Sequence, residues 1–228
     1  MFIIKTKLTE SLLKQSKNFS IFREQCKKYL WKYDLNYDKF TITDNDSSLW
    51  YLTEYFIKQY IIENFPNAKV ESWEDQYDIE RLINIIKSQS DNVNDIKYIK
   101  EYFYDKWDLK IDYSWKSYYL DVKTAITKLT PSERRNFLYP VVQANKEWKD
   151  FMILCYYVTT NLSIDSFKYL VVVWYTTEEI IKTCDIIKAW EVTTHWTTSQ
   201  IDNYETLLSE HYKPIDELFD EIRWLKRT

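Results

Sequence analysis

The sequence predicts an α/β fold, a mixed sheet core flanked by helices, with further helical segments at the N- and C-terminal ends. Three observations carry that expectation. Helix-period segments occupy 8–33 and 49–64, strict two-residue alternation occupies 109–124, and two unbroken apolar runs follow at 151–158 (FMILCYYV) and 169–175 (YLVVVWY). Alternation marks strands with one wet face, and unbroken apolar runs mark strands covered on both. Helices before, between and after such strands belong to one layered core.

Taken in order, residues 8–33 space Leu12, Leu13, Phe19, Phe22, Cys26, Tyr29 and Leu30 along one helical face. TDNDSS (43–48) reads as a turn and helix start. LWYLTEYFIKQYIIEN (49–64) is a helix that must stop near Phe65, because Pro66 bars the residue before it from helical dihedrals. AKVESWE (68–74) suits a short strand. From 76 to 105 a charge-rich helical pattern breaks around SQSDNVND (88–95), which gives two helices in an insertion. LKIDYSWKSYYLDVKT (109–124) alternates on both sides of Lys116–Ser117, as two half-buried strands of a hairpin do. Thr130-Pro131-Ser132-Glu133 has capping-box spacing with proline at the first helical position, and predicts a helix toward Trp148 that Pro140 kinks or splits. Thr176 and Glu179 open another helix to about Trp190, and Pro214 starts a last one. The regions expected are an N-terminal helical part (1–45), a core (46–176) with a helical insertion at about 76–105, and a C-terminal helical part (177–228).

Composition narrows the function. The 228 residues are 45% apolar and 29% charged, which is ordinary for a globular chain. A net charge of −4 gives no bulk attraction for nucleic acid, although Lys5 to Lys28 holds seven basic residues and two acidic ones. There is no glycine, where average usage gives roughly 16, so every mechanism built on a glycine-rich phosphate loop is excluded. Turns needing positive φ must fall on Asn, Asp or Lys. Cys26, Cys155 and Cys184 have no paired spacing and read as buried thiols of a reducing cytoplasm. With only His195 and His211 beside them they make no zinc motif. No apolar run is long enough to span a bilayer, and MFIIKTKLTE lacks the apolar core of a secretory signal, so a cytoplasmic protein without a membrane partner is expected.

The hairpin raises the chemical question. Folded about Lys116–Ser117, it sets Asp112 opposite Asp121, with Lys123 two residues along the same face. Like charges opposed across a sheet destabilise it unless one takes a proton or a cation sits between them. Mg²⁺, which needs one or two carboxylates plus water and phosphate oxygens, suits such a pair, and Lys123 would then neutralise charge or hold the attacking water. A solvated Asp/Lys face with no chemistry gives the same pattern.

The surrounding order favours the first reading. A helix carrying Glu54 (LTEYFIKQYIIENF), a strand, a strand with Asp112 (LKIDYSW), a strand with Asp121 and Lys123 (YYLDVKT), a helix and a buried strand together resemble the PD-(D/E)XK nuclease superfamily, with its restriction-endonuclease-like α-β-β-β-α-β core. The resemblance covers roughly 49–175 as a pattern of elements. It implies Asp112 and Asp121 as principal Mg²⁺ ligands (Mn²⁺ able to substitute), Glu54 as an accessory ligand, the Val122 carbonyl as a further metal oxygen and Lys123 as the catalytic lysine. Gln143 falls where the family often keeps a polar active-site residue. Ile111 stands where the family has proline, and Glu54 is separated from Asp112 by the insertion; Glu54 could instead pair with Lys58 one helical turn on. Arg134 and Arg135 lie close enough in sequence to grip phosphate. Aromatic clusters at 101–107 and 112–119 could stack on bases, and WEVTTHWTTSQ (190–200) could read base edges.

The expected function is therefore a Mg²⁺-dependent endonuclease, with DNA a better candidate than RNA, of restriction, defence or mobile-element type, acting as a homodimer through its helical ends. The alternatives are an RNA (tRNA) nuclease toxin, and a non-enzymatic α/β module that binds nucleic acid or protein.

Overall fold

In the computed structural model the described residues are 2–5, 7–33, 44–129, 131, 136–144, 149–193, 198–207 and 213–224. The helices begin and end where local chemistry dictates. Thr9 caps α1 (Glu10–Leu30), its hydroxyl accepting from the Leu12 amide at 3.1 Å. Helix α2 (Asp44–Asn64) stops two residues short of Pro66. The charged segment that follows forms α3 (Ile79–Ser88) and α4 (Val93–Phe103), capped by Asp78 and Asn92, so the break falls where the sequence placed it.

Six strands make the main sheet: β1 (Phe2–Ile4), β2 (Ala68–Ser72), β3 (Leu109–Tyr113), β4 (Lys116–Thr127), β6 (Phe151–Thr159) and β7 (Phe167–Thr176), in the order β1-β7-β6-β4-β3-β2. Strands β4 and β6 run parallel and every other neighbouring pair is antiparallel. A second sheet, in the order β5-β9-β8, joins β5 (Asn136–Pro140) to β8 (Asp185–Ile187) and β9 (Asn203–Leu207). The class is mixed α/β, as expected.

Strands β6 and β7 are covered on both faces, which explains their unbroken apolar runs. One face of the main sheet, including Leu109, Ile111, Leu120, Val122 and Ile153, packs on Leu52, Phe56, Ile57 and Ile61 of α2. Ile215, Leu218 and Phe219 of α7 (Ile215–Trp224) complete that core. The opposite face, with Met152, Leu154, Val171 and Val173, packs on Phe137, Tyr139 and Tyr204 of the small sheet and Ile180 of α6 (Thr177–Thr183). A third cluster joins α1 to α3 and α4 through Cys26, Tyr29, Leu82, Ile99 and Tyr102.

Three expectations fail for physical reasons. The segment after Pro131 enters a strand, β5, and a single helical turn, α5 (Val141–Ala144), where a helix toward Trp148 was expected. Phe137 and Tyr139 gain more from covering the sheet than helix propensity offers, and β9 supplies their strand with backbone partners. For the same reason the C-terminal part is only partly helical: α6, capped as expected by Thr176 and Glu179, ends at Thr183, and β8 and β9 follow. Among the described residues the positive-φ positions are Gln89 (51°), Ser114 (62°), Leu162 (55°) and Trp190 (69°), none of them Asn, Asp or Lys. No helix among the described residues is long and apolar enough to cross a membrane.

Candidate functional site

The hairpin turns two residues earlier than its alternation suggested. Tyr113 pairs with Lys116, so the turn is Ser114–Trp115, and Asp112 faces Ser117. Moving the turn by two residues changes every partner yet keeps each side chain on its own face, so the buried pattern is identical in both registers. Asp112 is therefore not opposite Asp121, which lies four residues further along β4, about 13 Å away at strand rise. The Asp112 carboxylate accepts from Ser117 Oγ at 2.5 Å and from Lys110 Nζ at 3.0 Å. Partial burial raises its pKa, and those two donors outweigh the burial and hold it below the usual carboxylate range. Trp115 stands 75% exposed at the tip.

A like-charge pair exists all the same, at the other end of the ladder. Asp108, one residue before β3, lies beside Asp121. Its amide donates to the Leu120 carbonyl at 2.9 Å, and its carboxylate Oδ2 accepts the Val122 amide proton. A side chain thus takes a backbone donor where the regular ladder stops. Asp108 and Asp121 are 8% and 2% exposed. Val122 meets Asp108 through its N–H, which leaves the expectation for its carbonyl as it was.

Asp121 is surrounded by donors. Lys123 Nζ lies 3.1 Å from its carboxylate, the Tyr139 hydroxyl donates at 2.8 Å, and the buried Lys149 ammonium pairs with Oδ1. Lys149 is held in place because its carbonyl accepts from Thr177 Oγ1 at 2.8 Å, while Asp150 and Tyr119 exchange hydrogen bonds at 2.9 Å where β4 meets β6.

The environment splits the two carboxylates. Burial pushes both up. For Asp108 the neighbouring Asp121 adds to it, and the group reaches about 7. For Asp121 the ammoniums of Lys123 and Lys149 and the donors Lys149 and Tyr139 win, pulling it down to about 2. Of the pair, Asp108 holds the proton and Asp121 stays ionised. Burial lowers Lys123, but Asp121 and Asp108 outweigh that and keep it a permanent cation. Burial lowers Lys149 below its ordinary value despite Asp121.

Glu54, on α2, lies within electrostatic reach of Asp108. Burial first, then Asp108, Glu74 and Asp105, raise its pKa well above the ordinary range. It also lines a cleft of about 550 Å³ between α1, α2, α3 and the single-turn helix Trp73–Gln76. Lys58 pairs with Asp75 at 2.5 Å, and no Glu54–Lys58 ion pair forms among the described residues. Among those residues no three Asp, Glu, His or Cys side chains are close enough together to hold a metal ion, so Glu54 does not complete a cage with Asp108 and Asp121. Gln143 lies on α5, with its side chain outside the described set; Arg134, Arg135 and His195 lie outside the described residues altogether.

The structure thus keeps Asp121 and Lys123 together, replaces Asp112 by Asp108, and adds Tyr139 and Lys149. Asp108 had a visible signal, since DLKID offers two aspartates at even spacing. Tyr139 and Lys149 had none, because they reach Asp121 through the small sheet and the start of β6. No protein-family model, no curated protein and no solved structure matches the chain, so the geometry of this site carries the functional argument.

Proposed function

We propose that the chain is a Mg²⁺-dependent nuclease of the PD-(D/E)XK superfamily that hydrolyses phosphodiester bonds in nucleic acid, DNA in the first instance. The observation that carries the reading is the opposed pair Asp108–Asp121 with Lys123 two residues on. The element order supports it. A helix (α2), an antiparallel meander (β2-β3-β4) and a strand parallel to the meander's last (β6) resemble the family's core, with β5 and the one-turn α5 in the crossover. Trp107, not proline, precedes Asp108, a departure from the family pattern.

The donor set fits a hard divalent cation. Burial and their mutual repulsion oppose ionising both carboxylates together, even with Lys123 and Lys149 beside them, and Mg²⁺ asks for one or two carboxylates, completing its shell with water and phosphate. Asp108 and Asp121 would hold it, and it would supply Lewis-acid polarisation of the phosphate and of a bound water. The chain's own groups do the rest. Tyr139 and Lys149 fix the direction of Asp121. Lys123, protonated at all working pH values, neutralises charge that builds on the phosphate oxygens as a water molecule adds to phosphorus and the P–O bond breaks. Glu54, whose pKa burial and neighbouring acids raise well above the ordinary range, is not a direct ligand. The buried thiols of Cys26 and Cys155 suit a cytoplasmic setting.

One observation favours a rival. Both Asp121 oxygens already have partners, and a satisfied buried network is also what a non-enzymatic α/β module would keep. The test is incubation of wild type and Lys123→Ala with plasmid DNA, single-stranded DNA and total tRNA, with Mg²⁺, Mn²⁺ or EDTA. Metal-dependent cutting lost in the variant, assayed well below its melting midpoint, supports the nuclease, and the substrate cut decides between DNA and RNA. Identical behaviour of the two proteins on all three substrates leaves the binding module in its place.

A further inference from the structure

We propose that the cleft between α1, α2 and α3 is a binding site for a small organic amine cation. The proposal stands apart from the nuclease reading, since none of its support comes from Asp108 or Asp121. At about 550 Å³ the cleft is in the range of small-molecule sites, roughly 300–1,000 Å³.

Its charge is one-sided. Glu54, Glu74, Asp75 and Lys58 all line it. Lys58 is occupied, bound to Asp75 at 2.5 Å and to Ser72 Oγ at 3.1 Å. Arg23, behind the wall, is tied to the Phe103 carbonyl at 2.9 Å and lies 3.8 Å from Asp105. Neither Glu54 nor Glu74 makes an ion pair among the described residues. Arg23 acts on both only through space, so two half-buried acids line the cleft without an ion-pair partner among the described residues. Burial lifts Glu74 to about 6, more than its backbone hydrogen bond and Arg23 pull it down.

The walls supply the second and third contacts. Phe19 and Tyr51 line the cleft with rings packed 4.9 Å apart, and aromatic faces attract ammonium groups, as the Arg23 guanidinium 5.8 Å from the Phe19 ring does already. Tyr102 also lines the cleft. It is fully buried, and its hydroxyl has no hydrogen-bond partner among the described residues. A buried hydroxyl without a partner costs free energy that a donor in the cleft would restore. An ammonium N–H is such a donor, and the same ammonium pairs with a glutamate and packs on a ring. A hard metal ion gains nothing from aromatic walls, and a nucleotide would bring its phosphates against uncompensated acids. An aliphatic mono- or diamine meets all three features.

The test is isothermal titration of the full chain with putrescine at physiological salt, with 1,4-butanediol as the neutral analogue. Putrescine should bind at one site and butanediol should not. Glu74→Gln should weaken binding about tenfold, the loss of one charge-assisted contact. Tyr102→Phe supplies the second readout, with opposite signs. It should melt higher than wild type without ligand, having shed an unpaired hydroxyl, yet bind putrescine more weakly. Equal binding of the diol, or putrescine affinity unchanged in both variants, overturns the proposal.

Discussion

Replacing Asp108 by Asn should make the protein more stable while removing the proposed cleavage activity. The amide keeps an oxygen that can accept the Val122 N–H, so local geometry is retained, but it cannot ionise beside Asp121. In the wild type the carboxyl moves from an ordinary 3.8 to about 7 on folding, because burial and Asp121 disfavour its charge. The folded state therefore holds this proton more tightly than the unfolded chain. The stabilisation it brings is complete below the unfolded pKa and is lost as pH rises through about 7. About three pKa units at 1.36 kcal/mol each give a loss of up to about 4 kcal/mol between pH 4 and pH 8. Asp108→Asn escapes that loss. Urea unfolding at intervals from pH 4 to pH 8, in EDTA, should show the variant gaining on wild type by about 4 kcal/mol across the range. Glu74 titrates alike in both proteins and cancels in the difference, whereas Glu54 loses the upward push of Asp108 in the variant, which adds to its gain on wild type. Below pH 4 the slope reverses, because Asp121, pulled down to about 2, stabilises the fold only while ionised. Parallel stability curves for the two proteins would refute the account of the pair.

Other perturbations follow from the same geometry. Lys149→Met should cost about 3–5 kcal/mol in urea unfolding near neutral pH, since it strips a buried carboxylate of a buried partner; a loss under 1 kcal/mol would mean that Lys123 and Tyr139 suffice. Leu162→Gly should stabilise by about 1 kcal/mol, or about 2–4 °C in Tm, because Leu162 is half-exposed and holds φ at 55°. An unchanged Tm would show that the loop relaxes elsewhere.

Much of the fold was legible because it follows from period and punctuation. The two helices inside 76–105, the doubly buried β6 and β7, and the cap formed by Thr176 and Glu179 all obey local rules. The small sheet did not, since β5 and β9 are joined across about seventy residues by cross-strand pairs such as Tyr139 with Tyr204. The site was half legible for a related reason. Alternation assigns a face to each side chain, and so brought Asp121 and Lys123 together, but it is blind to an even slip of register. With Asn-Gly and Asp-Gly turns impossible, no turn dipeptide fixed the hairpin, and Ser114 took the left-handed position unannounced. Lys149 and Tyr139 reach Asp121 only through tertiary packing.

The measurement that bears most directly on the central claim is the cleavage rate of wild type, Asp108→Asn and Asp112→Asn on the preferred nucleic acid at saturating Mg²⁺. Asp108→Asn should lose at least about a hundredfold in rate, and Asp112→Asn should stay within a few-fold of wild type, since its carboxylate serves only Ser117 and Lys110 near the hairpin tip. Cleavage that survives in Asp108→Asn but fails in Asp112→Asn would contradict the site, and a wild type that cuts none of the nucleic acids with any metal would contradict the nuclease itself.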